Sequence, residues 1–183
     1  MLETERLLLR RWKASDRAPF ARINGDPRVM EFLGAPLDRE QSDALIDLAE
    51  EHFRQHGFGA YAVELRGSGE FVGFVALMIP SFEAHFTPCI EIGWRLAAEA
   101  WGRGYATEGA SALMDRAFRE MGLAELVSFT SATNVRSRRV MHKIGMTHDP
   151  ADDFDHPRLR EGDPLRRHVL YRIKREEMLK ADY

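Results

Sequence analysis

The chain has 183 residues, of which 44% are apolar and 30% charged, and its formal net charge is −3. This length suits one domain with a full hydrophobic core, and the small net charge predicts no bulk attraction to nucleic acid or to an anionic membrane. The opening residues carry charges where a signal peptide needs an apolar core, and no apolar run approaches the ~20 residues that span a bilayer. The single cysteine, Cys89, cannot form an internal disulfide. We therefore expect a cytoplasmic protein in which Cys89 is a small core residue.

The first 57 residues are predicted to form one strand and three helices. Ser15 is a plausible N-cap for the first helix, and Asp38 with Gln41 resembles a capping box for the third. Gly57 should end that third helix. The predicted ranges are residues 7–12 for the strand, and 15–24, 27–32 and 39–56 for the helices.

From residue 59 the apolar period changes to that of strands. Two strands at 59–65 and 70–79 read as a hairpin, and a loop at 80–88 leads to a third strand at 89–96. Further on, helices and strands alternate: a helix at 108–121, a strand at 126–130, a helix at 134–144, a strand at 167–173 and a short helix at 174–180. This order predicts a mixed α/β sheet covered by helices, as a single domain over residues 1–183.

The turn between the strand at 89–96 and the next helix contains two glycines, Gly102 and Gly104. Glycine lets a backbone bend sharply and approach a ligand, and the free N–H groups at a helix start attract phosphate oxygens. A dinucleotide fold would place its glycines after the first strand of a βαβ repeat, and a P-loop would require a lysine after the last glycine. Neither condition is met, so the turn predicts a different phosphate-bearing ligand.

Three ordered motifs resemble the GNAT superfamily of acetyl-CoA-dependent N-acetyltransferases. Trp101-Gly102-Arg103-Gly104-Tyr105-Ala106 is similar to its signature [QR]-x-x-G-x-[GA], with Trp101 in place of the usual Gln or Arg. The segments at residues 4–10 and 134–146 resemble the same superfamily, in particular the branch that includes ribosomal-protein N-terminal (alanine or serine) acetyltransferases. The resemblance extends over residues 2–173.

The resemblance implies the GNAT fold, a single mixed and mostly antiparallel sheet, flanked by helices, with a V-shaped splay between two central parallel strands. Acetyl-CoA would lie in that splay without a metal. Its pyrophosphate would rest on the turn and its pantetheine arm would pair with the backbone of the preceding strand. The implied cofactor-binding residues are Trp94, Arg95, Leu96, Trp101, Gly102, Arg103, Gly104, Tyr105, Ala106, Thr107, Asn134, Ser137 and Arg139. Arg138, Arg139 and Lys143 are candidates for the 3′-phosphate of CoA, or else a solvated helix face.

Glu91 is the candidate general base, because a carboxylate within an apolar strand is unusual and burial would raise its pKa. The alternative is a structural ion pair with Arg95. Many family members protonate the departing thiolate with a tyrosine, but Met141 stands at that position. Ser137 is the candidate substitute, and a purely structural role in its helix is the alternative.

These residues predict an N-acetyltransferase that moves an acetyl group directly to a primary amine, such as a protein N-terminus, a polyamine, an amino acid or an antibiotic. The alternatives are a non-catalytic acyl-CoA-binding or sensing module and a nucleotide-binding enzyme. We expect a monomer or homodimer with no nucleic-acid or membrane partner.

His52 and His56 have the spacing of a metal pair, but without a third ligand they are expected to be exposed. Four aromatic residues could line an acceptor pocket or belong to the core: Trp12, Phe32, Phe82 and Phe86.

Overall fold

A computed structural model describes residues 1–180, which form nine strands and six α-helices. The strands are β1 (Leu2–Glu3), β2 (Leu7–Arg10), β3 (Ala60–Leu65), β4 (Phe71–Met78), β5 (Glu91–Leu96), β6 (Glu125–Ser131), β7 (Thr147–His148), β8 (Phe154–Asp155) and β9 (Arg167–Lys174). The helices are α1 (Arg17–Gly25), α2 (Pro27–Met30), α3 (Arg39–His56), α4 (Tyr105–Arg119), α5 (Val135–Lys143) and α6 (Arg175–Lys180). None of the helices in residues 1–180 has both the length and the apolar character that a bilayer crossing requires.

All the strands belong to one sheet in the order β1-β2-β3-β4-β5-β6-β9-β7, and β8 also pairs with β9. Every pairing is antiparallel except that of β5 with β6, which is parallel. These two strands share a single registered pair, Glu91 with Val127, and the Val127 N–H donates to the Ile90 carbonyl at 3.0 Å. Beyond that pair they separate, so the predicted mixed sheet with its V-shaped splay is confirmed.

The core lies between the sheet and α4. Strand alternation turns Val75, Leu77 and Ile92 toward this helix, where all three are fully buried. Gly109 allows the close approach, because a Cβ at this position would lie 3.1 Å from the Val75 side chain. The opposite face of the sheet is covered by α1 and α3 through a second cluster that contains Phe20, Ile23, Val29 and Ile46.

The predicted order of helices and strands is confirmed, and the boundaries differ by a few residues. The capping box of α3 is present: Asp38 accepts from the Gln41 N–H at 2.8 Å, and Gly57 ends the helix with φ of +78°. The assignment of Ser15 as an N-cap is wrong. Asp16 instead accepts the Lys13 N–H at 2.8 Å, and its carboxylate pairs with Arg10 at 2.6 Å. The short strands β1, β7 and β8 were not predicted, and α4 begins three residues before position 108.

Gly73 positions the backbone of β4 against β5. Its φ is +133°, and a Cβ there would lie 2.1 Å from the Arg95 carbonyl oxygen, so backbone must move to admit any side chain. Gly69, in the preceding hairpin turn, also has a positive φ of +72° but has open space around it. Gly69→Ala should therefore lower the free energy of unfolding by about 1 kcal/mol, the cost of the left-handed conformation alone.

Gly73→Ala adds a backbone collision to that conformational cost. We expect a loss of roughly 3 kcal/mol or more, measured by urea unfolding beside wild type and Gly69→Ala. Equal losses in the two variants would show that β4 and β5 can separate at this point without cost.

Candidate active site

A cleft of about 640 Å³ opens where β5 and β6 separate. Its walls are the carboxyl half of β5, the start of α4, one side of α5 and the segment around α2. All the predicted site residues except Arg103 line it. Several further residues line the cleft that no sequence motif indicates: Val29, Leu33, Phe74, Met78, Ser128, Thr130 and Arg136.

The glycine turn presents unused backbone donors at the edge of this cleft. Gly102 and Gly104 have φ of +73° and +81°, and α4 begins after Gly104 with no side chain capping it. Among the described residues, the N–H groups of positions 102–107 find no hydrogen-bond acceptor. A row of free N–H groups at the positive end of a helix dipole is a binding site for phosphate oxygens.

Glu108 holds the turn in place. Its carboxylate accepts hydrogen bonds from Thr4 Oγ1 at 2.5 Å, the Arg6 N–H at 2.9 Å and Arg6 Nε at 2.6 Å. Arg6 in turn donates to the Arg103 carbonyl at 3.0 Å and lies 4.8 Å from the centre of the Tyr105 ring. Burial opposes ionisation of Glu108, but the bonds from Thr4 and Arg6 outweigh it and lower its pKa. Neighbouring residues in the sequence do not reveal these contacts, because Thr4 and Arg6 are remote from Glu108 in the chain.

Trp101, which replaces the usual Gln or Arg, connects the turn to β5. Its indole Nε1 donates to the Leu96 carbonyl at 3.0 Å. Its ring lies 4.4 Å from the guanidinium of Arg136, which also forms an ion pair with Glu31 at 2.6 Å. Arg136 therefore bridges α5, the turn and the segment after α2 across the mouth of the cleft.

The edge of β5 that faces the gap carries unpaired backbone groups. The Ile90 carbonyl accepts from Val127 and the Leu96 carbonyl accepts from Trp101, so both point away from β4. Because backbone groups alternate along a strand, those of Ile92 and Trp94 point to the same side. An extended ligand can pair with Trp94 there, whereas the Leu96 carbonyl is already occupied.

Glu91 lies on the floor of the cleft, on the same strand face as Gly93 and Arg95. It is half-buried and has no ion-pair or hydrogen-bond partner among residues 1–180. Burial raises its pKa to about 8. The ion pair with Arg95 that the sequence left open is absent, because Arg95 Nη1 donates to Asn24 Oδ1 at 2.7 Å instead. Glu91 is therefore a carboxyl group with an elevated pKa, in a cleft and without a structural partner.

Asn134 caps α5 and positions Ser137. Asn134 Oδ1 accepts from the Ser137 N–H at 3.2 Å, and its Nδ2 donates to Thr130 Oγ1 at 3.0 Å. The Ser137 hydroxyl lines the cleft and has no partner in the described part of the chain. Met141, at the usual tyrosine position, is 1% exposed and packs in the core.

The three residues of α5 that the sequence offered for the 3′-phosphate divide into two groups. Arg138 donates to the Ala132 carbonyl at 3.0 Å and to the Tyr171 hydroxyl at 3.3 Å, which commits it to the fold. Arg139 and Lys143 line the cleft, and neither forms an ion pair within residues 1–180. They are the two α5 cations that remain available to a ligand anion.

Most of the remaining histidine and aromatic candidates pack within the fold and do not line the cleft. His52 is buried, and this corrects the expectation of exposure: its Nδ1 donates to the Phe58 carbonyl at 2.7 Å and its Nε2 accepts from the Ile79 N–H at 3.1 Å. No group of three potential metal ligands occurs in the described residues. Phe82 and Phe86 pack in an aromatic cluster with Phe154, whereas Phe32 lines the cleft.

Comparison with known proteins gives concordant results. The family model described as "Acetyltransferase (GNAT) domain" matches residues 6–147. The FsC-acetyl coenzyme A-N(2)-transacetylase of Aspergillus fumigatus is 34% identical over 173 residues, covering 87% of this chain and 69% of that protein. A GNAT-family acetyltransferase from Bacillus anthracis superposes with a TM-score of 0.77 at 26% identity, over 96% of this chain and 98% of that one. A spermidine N-acetyltransferase from Vibrio cholerae, solved with CoA and spermine, shares the fold with a TM-score of 0.74 at 17% identity, over 96% of this chain and 99% of that one.

The raised pKa of Glu91 makes a prediction about stability. An unfolded glutamate loses its proton near pH 4.5, whereas the folded protein holds it to about pH 8, so stability falls as pH rises between these values. Glu91→Gln removes this penalty. Because the carboxyl group borders a cleft that water enters, the expected gain in the free energy of unfolding at pH 8 is about 2–4 kcal/mol.

Urea unfolding of wild type and Glu91→Gln at pH 5 and pH 8 measures this gain, which should shrink toward pH 5. Glu83→Gln is the control, because Glu83 is exposed and its substitution should change stability at neither pH. A gain independent of pH would show that Glu91 has an ordinary pKa.

Proposed function

The chain belongs to the GNAT family of N-acetyltransferases, and from this premise we propose that it transfers an acetyl group from acetyl-CoA directly to the primary amine of an acceptor. The observation that carries the proposal is the presence, in one cleft, of a glycine turn with free N–H groups and of an unpaired carboxyl group with a raised pKa. The first feature suits a phosphate-bearing acyl donor, and the second suits removal of a proton from an amine.

The cleft offers groups for each part of acetyl-CoA, which supplies an activated acetyl thioester. The N–H groups of residues 102–107 would hold the pyrophosphate, and the backbone of Trp94 would pair with the pantetheine arm. Arg139 and Lys143 would meet the 3′-phosphate. Two of the similar proteins are named or solved with coenzyme A, which supports the assignment of this co-substrate.

Glu91 would accept a proton from the attacking amine. An alkylammonium has a pKa of about 10.4, so a base with a pKa of about 8 takes its proton more effectively than an ordinary carboxylate does. The amine nitrogen forms the new bond to the acetyl carbon as the carbon–sulfur bond breaks, and the electron pair of that bond leaves with sulfur.

The Ser137 hydroxyl would donate a hydrogen bond to the departing sulfur. A thiol has a pKa of about 8.5, so the thiolate is already a fair leaving group at neutral pH and can take its proton from water. A strong acid at this position is therefore not required, and the buried Met141 in place of tyrosine is compatible with turnover.

The acceptor class is tested by measuring free thiol release with acetyl-CoA and a panel of N-terminal peptides, polyamines, amino acids and aminoglycosides. The motif resemblance favours a peptide N-terminus, and the Vibrio cholerae protein of similar fold carries a polyamine. Release that depends on one class of amine supports the proposal. Acetyl-CoA binding without release across the panel would favour a non-catalytic acyl-CoA sensor.

Replacement of Glu91 should separate catalysis from co-substrate binding. Glu91→Gln keeps the size of the side chain but cannot accept a proton, so kcat should fall roughly 10²–10⁴-fold. The Kd for acetyl-CoA, measured by calorimetry, should stay within about twofold. The wild-type kcat/KM should rise about tenfold per pH unit up to about pH 8, where Glu91 becomes ionised.

The exposed Glu83 again provides the matched control, since Glu83→Gln should leave rate and pH profile unchanged. If Glu91→Gln retains the wild-type rate and the same rise of kcat/KM with pH below about pH 8, Glu91 takes no part in proton transfer.

The assignment of Arg139 and Lys143 is tested with a ligand that lacks the 3′-phosphate. The double variant Arg139→Ala/Lys143→Ala should bind CoA about 10–100-fold more weakly, because it loses charge-assisted hydrogen bonds of roughly 1.5–3 kcal/mol in total. Its affinity for dephospho-CoA, measured by the same titration, should match that of wild type.

Arg160→Ala removes an exposed arginine that does not line the cleft and should change neither affinity. Equal losses for CoA and dephospho-CoA in the double variant would place the 3′-phosphate elsewhere.

A further inference from the structure

Arg95 is a cation in the cleft without an anionic partner. Its Nε is buried with no hydrogen-bond acceptor, and its only protein hydrogen bond within residues 1–180 runs from Nη1 to the neutral Asn24 side chain at 2.7 Å. Its guanidinium lies 5.6 Å from the centre of the Phe74 ring. The Arg95 guanidinium therefore has one N–H group without an acceptor, a hydrogen bond to the neutral Asn24 and an aromatic neighbour, but no carboxylate partner.

The anchor fixes the guanidinium in place. Asn24 is fully buried, and its Nδ2 donates to the Ser42 hydroxyl at 2.8 Å, so its Oδ1 is held toward Arg95. By contrast, the buried Arg10 is paired with Asp16 and Glu64. Burying a charge without a partner costs free energy. An unpaired guanidinium at a ligand cleft therefore indicates that a ligand supplies the missing partner.

Burial lowers the pKa of Arg95 to about 10. The guanidinium still carries its charge at neutral pH, so the cleft presents a fixed positive charge there. A ligand anion at this point would regain the electrostatic energy that burial withholds.

Arg95 also stands in a defined relation to Glu91. The two lie on the same face of β5 with Gly93 between them, and their Cα atoms are roughly 13 Å apart at ~3.3 Å per residue. In register beside them on β4 are Met78, Ala76 and Phe74. The neighbours on β4 are thus apolar, and because Gly93 has no side chain, the Glu91 carboxyl group leans over it, with Oε1 3.5 Å from the position that a Cβ on Gly93 would take.

The side chains of Trp94 and Leu96 point to the other face of the strand, toward α4. Val29, Phe32 and Leu33 line the same cleft as this face. The face with Glu91 and Arg95 is thus open to the cleft on the side of β5 away from α4, where an acceptor can lie.

We propose that the acceptor carries an anionic group, a carboxylate, which Arg95 binds while the primary amine of the same molecule reaches Glu91 across an apolar spacer. This inference rests on the proposed amine acetylation and names its substrate class. A polyamine places a second ammonium against Arg95, and like charges repel.

The test compares matched acceptors by thiol release with acetyl-CoA: ω-amino carboxylates of four to eight carbons, n-alkylamines of the same lengths and the corresponding diamines. In wild type, the best ω-amino carboxylate should exceed its matched alkylamine at least tenfold in kcat/KM, and the diamine should be the poorest. In Arg95→Gln the ratio of carboxylate to alkylamine should fall to near one, whatever the absolute rates, and Arg95→Lys should retain part of it.

A ratio near one in wild type, or a ratio that Arg95→Gln leaves unchanged, overturns the proposal. If no amine in this series is acetylated, binding of pentanoate and pentanol to the whole protein is measured by calorimetry instead. Pentanoate affinity that exceeds pentanol affinity in wild type and falls at least tenfold in Arg95→Gln upholds the anion site even where the amine acetylation fails. Equal binding of the two ligands, or no binding of either, overturns it.

Discussion

Strands β5 and β6 meet in a single registered pair, and the cleft exists because each of them is fully paired on its other side. β5 follows β4 through six positions and β6 follows β9 through seven, so the sheet consists of two well-paired halves joined between Glu91 and Val127. Separation leaves backbone groups of β5 without partners, which is costly unless something else satisfies them. Trp101 satisfies one of them at Leu96, and a bound extended ligand can satisfy those at Trp94. The separation of the two strands therefore forms the cleft and also leaves backbone groups in it that a ligand can pair with.

The conformation of the glycine turn has to be fixed by other residues, because the turn contributes mainly backbone N–H groups and these are directed at the ligand. Its shape depends on contacts from outside: Arg6 and Thr4 hold Glu108, Arg6 holds the Arg103 carbonyl, and Trp101 holds the end of β5. These bonds form before any ligand arrives, so binding does not have to supply the free energy of ordering the turn. The residues that precede β2, Thr4 and Arg6, thus contribute to the phosphate site from across the sheet. The bond from Trp101 to the Leu96 carbonyl explains why a tryptophan can stand where the family usually has Gln or Arg.

Periodicity and end signals predicted the order of the main elements, because an amphipathic face or a capping box such as Asp38 with Gln41 is a property of neighbouring residues. They also located the glycine turn and Glu91. What they missed depends on contacts between remote residues. Asp16 rather than Ser15 organises the start of α1, since Arg10 requires a buried carboxylate. The partners of Glu108 lie about a hundred residues away in the chain, and the two-residue strands β1, β7 and β8 are too short to show a period. The unpaired state of Arg95 likewise follows from where Asn24 lies in space.

Glu91 and Arg95 respond to the same burial in opposite directions, and the difference between them sets the charge of the acceptor half of the cleft. Burial moves both groups toward their neutral forms, yet a pKa of about 8 leaves Glu91 largely protonated at pH 7 while a pKa of about 10 leaves Arg95 charged. The resting face is therefore positive. A simple ammonium entering it meets net repulsion, whereas an acceptor with an anionic group near Arg95 neutralises that charge and leaves its own ammonium to favour the ionised form of Glu91. Ionised Glu91 is the form that can accept the proton, so an acceptor of this kind prepares its own base.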